Sequence, residues 1–369
     1  MTMAIGILGA AAVQDDAVRA AQALGLQVHV LAAAANGPAA QSADRFVEID
    51  FSDVSAVEDY TRRHGLAAVY SAGSDIAIPV SAQVSEVLEL PRFVSSETAR
   101  TCNVKTDMRR ALAGSAGNVP SVLVESADDS AWTGTWPVIV KPADAQGQRG
   151  VNLVDAPEEL QPAIRDAMQH SRSDRVIIEE YIEGPEVSVN GYIVEGELIF
   201  LTVSDRETWP EFVGLIAAHV IPSTVCDDRT YQRLHEMMSE AADVLGIRNG
   251  PVYAQVIIRQ GTPYIIEITP RLDGCHMWKV IRHAQGVDLM DWTLRHLVFG
   301  ERPTPPSTGP KVRPYRLDFR CQPPHTEYSE DPIVPAHDDV ESYAYYSPGD
   351  TIRPVNGRFE KVGYDIRKW

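Results

Sequence analysis

Lys141 lies directly after an apolar run, and this placement is the first indication of chemistry in the chain. The tract Trp136-Pro-Val-Ile-Val-Lys141 leads into a loop that contains Gly147 and Gly150. A cation beside a chain that can close over an anion suits a polyphosphate, because the lysine supplies charge and the loop supplies backbone N–H donors. Taken alone, the tract is equally well explained as a strand end with a solvated lysine and a surface turn.

A second segment ends an apolar strand in paired acids, Glu179 and Glu180, and re-enters a strand after Gly184-Pro185. Backbone groups at such a break are free to contact the edge of an adenine, and a nearby carboxylate could accept from ribose hydroxyls. The alternative is an edge strand with solvated acids.

A third segment pairs two strands across Gln260-Gly261, a good hairpin turn signal. Strand alternation places Glu267 and Thr269 on one face, and hairpin pairing can bring Gln255 beside them. Clustered oxygen ligands suit Mg²⁺, which commonly binds one or two carboxylates together with substrate phosphates. An ion pair between Glu267 and Arg271 is the alternative for this buried carboxylate.

Two cations, Lys105 and Arg109, are four residues apart and therefore share one face of a predicted helix. A solvated helix surface is the alternative for this short segment when it is considered in isolation.

Composition excludes several classes of protein. The chain has 369 residues, 44% hydrophobic and 23% charged, with a net charge of −18, which argues against nucleic acid as a partner but not against nucleotides. No apolar run is long enough for a membrane span. The N-terminal residues lack the basic stretch of a signal peptide and are expected to form a strand. The four cysteines show no CxxC pairing, so we expect neither a zinc site nor disulfides, and we expect a cytoplasmic location.

The pattern along the chain predicts a mixed α/β and α+β fold. Residues 1–96 alternate between short apolar strands and amphipathic helices, which is typical of an open parallel α/β sheet. The partial fingerprint from Gly6 to Gly9 favours a structural βα turn over a dinucleotide site, since its third glycine is an alanine. Residues 97–300 mix hairpins with helices, and 301–310 form a proline-rich linker before a small β-rich segment that ends at 369.

Together and in this order, the four chemistry-bearing segments resemble the ATP-grasp superfamily of ligases. The order is a basic helix, a strand–Lys–Gly loop, a strand with a Glu-Glu-Tyr-Ile hinge, and a strand pair ending in Glu-Ile-Thr-Pro-Arg. The resemblance covers about residues 1–300. It implies an N-terminal pre-ATP-grasp domain (1–96), an ATP-grasp module of two α+β subdomains (97–300, with a lid subdomain at about 115–182), and a small C-terminal β domain (301–369).

The resemblance also implies roles for individual residues. Lys105 and Lys141 would bind ATP phosphates, and Arg271 would steady an acyl phosphate and the tetrahedral intermediate that follows. The phosphate-covering loop would use Gln146, Gly147, Arg149 and Gly150; adenine would be held by Glu179 or Glu180 with the backbone of Tyr181 and Ile182; ribose by Glu186; and Mg²⁺ or Mn²⁺ by Glu267, with Gln255 and Thr269.

Two metal-site positions depart from the pattern of the family. Relatives often carry Asn where this chain has Thr269, and Glu where it has Gln255. A hydroxyl and a neutral amide coordinate magnesium more weakly than a carboxylate does. A second metal would therefore be bound weakly or mainly through ATP oxygens.

The reaction implied by the resemblance joins a carboxylate and an amine through an acyl phosphate, with ADP as a product. We expect amino-acid-like substrates and, at the level of the family, a possible homodimer. The candidate substrate residues, for which structural packing is the favoured alternative, are Arg206, Trp209, His219, Arg271, Asp273, His276 and Trp278. Two alternatives stay open: a bicarbonate-activating or carbamoyl-phosphate-like enzyme, and a non-catalytic ATP-binding protein.

Overall fold

The N-terminal region forms a four-stranded parallel sheet in the order β3-β2-β1-β4, as the sequence predicted. In a computed structural model, the structure describes residues 2–126, 132–144, 150–305, 312–329, 339–355, 357 and 359–369. The central strand β1 is buried on both faces, which explains its continuous apolar run. The elements are β1 (Ala4–Leu8), α1 (Ala12–Ala23), β2 (Gln27–Ala32), α2 (Pro38–Ser42), β3 (Arg45–Glu48), α3 (Val54–His64), β4 (Ala68–Tyr70) and α4 (Ala77–Val87).

A second, antiparallel sheet has the order β5-β8-β6-β7 and lies within the predicted lid subdomain. The predicted hairpin on either side of the glycine loop is present, since Val138 pairs with Val154. One long helix, α7, packs its apolar face on this sheet. The elements are α5 (Ser96–Asn103), α6 (Lys105–Ala111), β5 (Ser121–Val124), β6 (Val138–Pro142), β7 (Asn152–Val154), α7 (Pro157–His170) and β8 (Val176–Glu180).

The third sheet is antiparallel, with eight strands in the order β13-β12-β9-β10-β11-β14-β16-β15. The C-terminal segment is rich in β-strands, as expected. Its strands join the central strands through the antiparallel pairing of β11 with β14. The domain boundaries at 96 and 300 stay predictions. The elements are β9 (Glu186–Val194), β10 (Glu197–Trp209), β11 (Phe212–Ile221), α8 (Asp228–Leu245), β12 (Gly250–Arg259), β13 (Thr262–Thr269), α9 (Met277–Gln285), α10 (Leu289–Phe299), β14 (Tyr315–Gln322), β15 (Asp339–Ala344) and β16 (Glu360–Lys368).

Two elements differ from the sequence prediction. The helix predicted over 95–112 is interrupted at Val104, whose extended backbone (φ −99°, ψ 109°) separates α5 from α6 and puts Lys105 at the start of the second helix. Strand β10 continues past Ser204 to Trp209 and pairs with β11, which the sequence pattern did not reveal. The substrate-candidate residues of β10 therefore lie on a sheet rather than in a loop.

One core joins the N-terminal sheet to the rest of the chain. Ile5 and Ala17 pack in the same cluster as Ile281 of α9, Leu294 of α10 and Ile366 of β16. Buried apolar contact of this extent fixes the N-terminal loops against the third sheet. Within the described ranges, no helix combines the length and the apolar character that a membrane crossing requires.

Candidate nucleotide and substrate site

Lys141 lies near the end of β6 and reaches a carboxylate on the neighbouring strand β8. Its Nζ atom is 2.6 Å from Glu179 Oε2, and Arg109 Nε is 2.8 Å from Glu179 Oε1. All three side chains are buried. Burial acts to raise the pKa of Glu179, but Arg109 and Lys141 outweigh it and lower that pKa to about 2. The group therefore holds two cations and one carboxylate, a net positive charge inside the protein.

The same charge balance affects Lys141 itself. Burial lowers the pKa of Lys141 below its usual value, and the attraction of Glu179 offsets this only in part, since Arg109 and Lys105 add like charge nearby. A buried group with excess positive charge is stabilised when an anion binds beside it.

Arg109 anchors helix α6 and the second sheet to the third sheet. Its Nη1 atom donates to the carbonyl of Ile265 at 2.7 Å, and Nη2 donates to that of Ile266 at 3.2 Å. The sequence indicated only that Arg109 shares a helix face with Lys105. Its role as the partner of Glu179, 70 residues further along the chain, was missed because no local pattern marks it.

The predicted metal-binding hairpin has the expected register. Gln255 pairs directly with Glu267, and Tyr253 pairs with Thr269, so the three polar side chains lie at neighbouring positions. The Glu267 side chain is 47% exposed, with Lys105 Nζ 3.8 Å from its Oε1 atom. A cavity of about 270 Å³ opens here, and its lining includes Asp75, Lys105, Glu267 and Thr269. Oxygen donors and a cation thus line one space.

Arg271 does not pair with Glu267, the alternative raised by the sequence. It instead forms a bidentate pair with Asp75, with Nε 2.6 Å from Oδ1 and Nη2 2.7 Å from Oδ2. Thr269 Oγ1 donates to the same carboxylate at 3.1 Å. Burial acts to raise the pKa of Asp75, but Arg271 outweighs it and the pKa is lowered. This planar double hydrogen bond fixes the orientation of the guanidinium group.

Asp75 was not a sequence candidate, and its position depends on a close backbone approach. The loop after β4 contains Gly73 at φ +65°, and a Cβ atom there would lie 2.9 Å from the Cα atom of Gly274. Only glycine allows the loop to contact the segment after β13 so closely. Since 196 residues separate Asp75 from Arg271, spacing in the sequence gave no signal for this pair.

The predicted adenine and ribose residues are engaged with protein partners. Glu180 pairs with Arg259 at 2.7 Å, and the backbone N–H of Tyr181 donates to the carbonyl of Pro137 at 3.1 Å. That N–H is therefore committed to the fold, whereas Ile182 is buried directly after it. Glu186 accepts from Gln255 Nε2 at 3.0 Å. Its carboxylate is thereby linked to the metal-binding hairpin.

Part of the predicted phosphate-covering loop lies outside the described residues, namely Gln146, Gly147 and Arg149. Gly150 is described and has φ +69°, a conformation that favours glycine.

Three of the substrate candidates come together. Arg206 and His219 are direct partners across β10 and β11. The Nη1 atom of Arg206 donates to the hydroxyl of Tyr253 at 3.2 Å, and its Nε atom is 3.2 Å from Glu186 Oε2. The ligand atoms of His219 and Asp273 lie within 4.8 Å of each other and of the Cys275 sulfur. The structure therefore connects this group to the hairpin through Tyr253.

The other three substrate candidates have packing roles. His276 is buried, with Nδ1 2.7 Å from Asp16 and Nε2 2.9 Å from the hydroxyl of Tyr345. Trp278 belongs to the main core. Trp209 packs edge-on against the ring of Phe359, with centroids 5.5 Å apart. His276 and Trp278 lie at the N-terminal end of α9 and are both buried, and a substrate role for them stays a prediction.

The turn after β1 is a structural one, as the sequence favoured. Gln14 accepts from the backbone N–H of Ala11 and donates to the carbonyl of Ala72. At Gly37, a Cβ atom would lie 2.0 Å from the carbonyl oxygen of Ala10. The space that a dinucleotide phosphate would need is filled by protein.

Comparison with known proteins agrees with this geometry. Residues 135–278 match the model of the ATP-grasp domain, and residues 1–70 match that of the ribonucleotide synthetase preATP-grasp domain. Residues 135–278 therefore belong to the ATP-grasp superfamily. The matched ranges contain Lys141, Glu179, Glu267 and Arg271.

Two curated relatives and one solved structure illustrate the breadth of this ATP-grasp likeness. The chain is 28% identical over 211 residues to the formate-dependent phosphoribosylglycinamide formyltransferase of Synechococcus sp. (strain RCC307), covering 54% of this chain and 50% of the relative. It is 28% identical over 163 residues to a D-alanine–D-alanine ligase of Parabacteroides distasonis, covering 42% and 48%. The chain thus matches about half the length of these curated relatives.

The fold comparison extends over the whole chain. The crystal structure of the L-amino acid ligase from Bacillus licheniformis superposes with a TM-score of 0.79 at 19% identity, covering 99% of this chain and 93% of that one. At this identity the likeness shows the fold, which includes the C-terminal strands.

Proposed function

We propose that this ATP-grasp protein is an ATP-dependent carboxylate–amine ligase that acts on amino-acid-like substrates and forms an amide bond through an acyl phosphate. The observation that carries the proposal is the buried, net-positive group of Arg109, Lys141 and Glu179 beside the cavity lined by Lys105 and Glu267. Excess positive charge next to oxygen donors suits the phosphates of a nucleotide bound with a divalent cation.

ATP and Mg²⁺ (or Mn²⁺) are the cofactors that these residues fit. Glu267 presents a half-exposed carboxylate to the cavity, and Thr269 adds a hydroxyl oxygen to its lining. Gln255 donates its amide nitrogen to Glu186, which leaves the amide oxygen as the ligand atom. These three residues would hold the cation, which would neutralise phosphate charge when bound.

Lys141, Lys105 and Arg271 would have different roles in phosphoryl transfer. Lys141 and Lys105 would bind phosphate oxygens and stabilise the charge that spreads over the transferring group. Arg271, held in one orientation by Asp75, would bind the acyl phosphate formed when the carboxylate substrate attacks the γ-phosphorus and ADP leaves. The amine substrate would then displace phosphate, giving the amide and a proton.

The substrate class is supported by the relatives and by the group around Arg206. A D-alanine–D-alanine ligase and an L-amino acid ligase are among the similar proteins, and both names describe joining of amino acids. Arg206 donates to Tyr253, whose ring lies beside Arg271, and Asp273 follows Arg271 by two residues, so one cation and one carboxylate are available to complement a substrate with both charged groups.

The proposal is tested by measuring ADP release with ATP·Mg²⁺ and all pairs of the twenty L-amino acids, with mass spectrometry of the products. We expect at least one pair to stimulate ADP release and to yield a dipeptide. Stimulation by bicarbonate without an organic acid would instead show a bicarbonate-activating enzyme. ATP·Mg²⁺ binding without turnover on the full panel would contradict a ligase activity.

The matched control compares Lys141→Met with Lys368→Met in the same assay. Lys141 is buried beside Glu179, whereas Lys368 is exposed at the end of β16. Loss of stimulated ADP release only in Lys141→Met ties the activity to the proposed site rather than to a contaminating ATPase.

A further inference from the structure

A buried polar cluster lies beyond the phosphate-binding residues and is built partly from the C-terminal strands. It consists of His219 on β11, Asp273 and Cys275 in the segment between β13 and α9, and Lys361 on β16; we call it the inner cluster. The ligand atoms of the first three lie within 4.8 Å of one another. Lys361 Nζ is 3.4 Å from the Cys275 sulfur. Four groups of different chemistry therefore lie close together.

Two buried polar atoms of the inner cluster lack a hydrogen-bond partner. His219 and Asp273 are 0% and 1% exposed, yet His219 Nε2 and Asp273 Oδ2 bond to no other atom in the described part of the chain. A buried polar atom left unsatisfied costs about 1–3 kcal/mol. Two such atoms side by side indicate a place that a polar ligand completes.

Lys361 is held beside this space without a carboxylate partner. Its Nζ atom lies 3.6 Å from the centroid of the Phe319 ring on β14, and the ion pairs found in the described part of the chain do not include it. Asp273 lies near enough for Lys361 to act on its pKa, yet the two groups form no direct pair. Burial raises the pKa of Asp273, as expected of a carboxylate without a contacting cation. The Lys361 ammonium and the Asp273 carboxylate thus lie in one cluster without forming a direct pair.

The charges favour a zwitterionic ligand over a metal ion. Histidine, carboxylate and thiol are the ligand types of zinc sites. However, burial, and after it the charges of Arg206 and Lys361, lower the pKa of His219 well below its usual value, so two cations lie near the cluster. Burial also raises the pKa of the Cys275 thiol, so the thiolate that a metal needs is disfavoured. Positive potential beside one carboxylate suits a ligand that carries both an anion and an ammonium group.

The inner cluster is adjacent to the residues assigned to the acyl phosphate. Asp273 follows Arg271 by two residues. Tyr253 joins the two regions, since its ring lies 5.5 Å from the Arg271 guanidinium carbon and its hydroxyl accepts from Arg206. An ammonium group held on Asp273 would lie near an acyl phosphate bound by Arg271; after passing one proton to the Asp273 carboxylate, the free amine could attack the acyl carbon and displace phosphate.

We propose that the inner cluster binds the amine-bearing substrate as an α-amino acid, with its ammonium group on Asp273 Oδ2 and its carboxylate on Lys361 Nζ. This inference rests on the proposed ligase function and adds to it a specificity-determining residue supplied by the C-terminal strand β16. Lys361 lies outside the range that matches the ATP-grasp domain. The recognition of the carboxylate is therefore a property of this chain's own C-terminal segment.

The test separates binding from turnover by using substrate analogues. Each of the twenty L-amino acids is titrated calorimetrically into the wild-type protein with ATP analogue and Mg²⁺, and the tightest ligand is compared with its C-terminal amide and with its desamino acid. We expect Lys361→Met to lower the affinity for the amino acid by about 10- to 100-fold and to leave the affinity for its C-terminal amide unchanged. Lys361→Arg should restore part of the affinity.

Lys368→Met, at the exposed end of the same strand, is the matched control and should bind like wild type. Binding of the ATP analogue to each variant shows that the site has folded. In steady-state assays the KM for the acceptor should rise in Lys361→Met while kcat and the KM for ATP stay within about threefold.

Each other result overturns one specific claim. An equal loss for the amino acid and its amide, or an unchanged KM in Lys361→Met, would remove the role of Lys361. Stoichiometric Zn²⁺ binding lost in Cys275→Ser would identify the inner cluster as a metal centre. Tight amino-acid binding sensitive to Lys361→Met, with no ADP release for any pair, would uphold this inference and refute the ligase activity.

Discussion

The proposed phosphate-binding end of the site, which contains Lys141, Glu179 and Arg271, differs from the inner cluster in whether its buried carboxylates have partners. At the phosphate end, Glu179 accepts from Arg109 and Lys141, and Asp75 accepts twice from Arg271. In the inner cluster, Asp273 Oδ2 has no described partner. The first region is complete without its ligand because the same residues also join the sheets. The second has polar atoms without a partner, which is the arrangement expected if its groups bind the proposed substrate.

From this comparison we predict the largest loss of folding stability when the ion pairs of the phosphate-binding end are broken. Glu179→Gln leaves Arg109 and Lys141 buried without their carboxylate, and we expect it to lower the free energy of unfolding by about 3–5 kcal/mol at pH 7. The measurement is urea unfolding followed by circular dichroism. Asp243→Asn, which breaks the exposed pair with Arg248, is the control and should cost less than about 1 kcal/mol.

The stability difference between wild type and Glu179→Gln should also depend on pH. The pKa of Glu179 is about 2 in the folded chain and has a usual value of 4.5. A lowered folded pKa means that its contribution is fully present above about pH 4.5 and is lost as the pH falls toward 2. The difference between wild type and Glu179→Gln should therefore shrink on acidification through this window. A constant difference from pH 6 to pH 3 would show that Glu179 is not the paired carboxylate described.

The second prediction concerns the charge of Lys141, whose removal we expect to affect turnover more than folding. Lys141→Met keeps an unbranched side chain one atom shorter and removes the charge, and Glu179 retains Arg109, so we expect a well-folded protein. Its kcat should fall by roughly 10²–10³, the loss typical when one group that stabilises transition-state charge is removed. Turnover within threefold of wild type would show that Lys141 serves the fold alone.

A smaller effect is expected for Asp75, which positions Arg271 and touches no reacting atom. Asp75→Asn replaces a charge-assisted double hydrogen bond by a weaker neutral one, and we expect kcat/KM for the acid substrate to fall about 10- to 100-fold. ATP binding measured by calorimetry should stay unchanged. Asp59→Asn on the exposed face of α3 is the control. An equal loss of ATP affinity would indicate a general disturbance of the site.

The contrast between the two regions also explains what the sequence could predict. Lys141 and Glu179 end apolar strands, and the Gly261 turn sets the register of Gln255 and Glu267, so local patterns located them correctly. Asp75 with Arg271, and Lys361 with Cys275, are contacts between distant segments. Such contacts follow from packing of whole sheets, which spacing along the chain does not encode.

The smallest predicted effect tests whether the phosphate end is as complete as its ion pairs suggest. Gln255 is paired with Glu267 in the hairpin and contributes no charge to the metal position. Gln255→Glu would add a carboxylate there, and Arg206 already balances the neighbouring Glu186. We expect the Mg²⁺ concentration for half-maximal ADP release to fall about two- to fivefold, because charge count raises the affinity of oxygen sites for Mg²⁺. The matched variant Gln232→Glu, on the exposed face of α8, should leave it unchanged. A higher Mg²⁺ requirement would mean that repulsion between the new carboxylate and Glu186 dominates, and that the neutral amide of Gln255 serves to hold Glu186 rather than to bind metal.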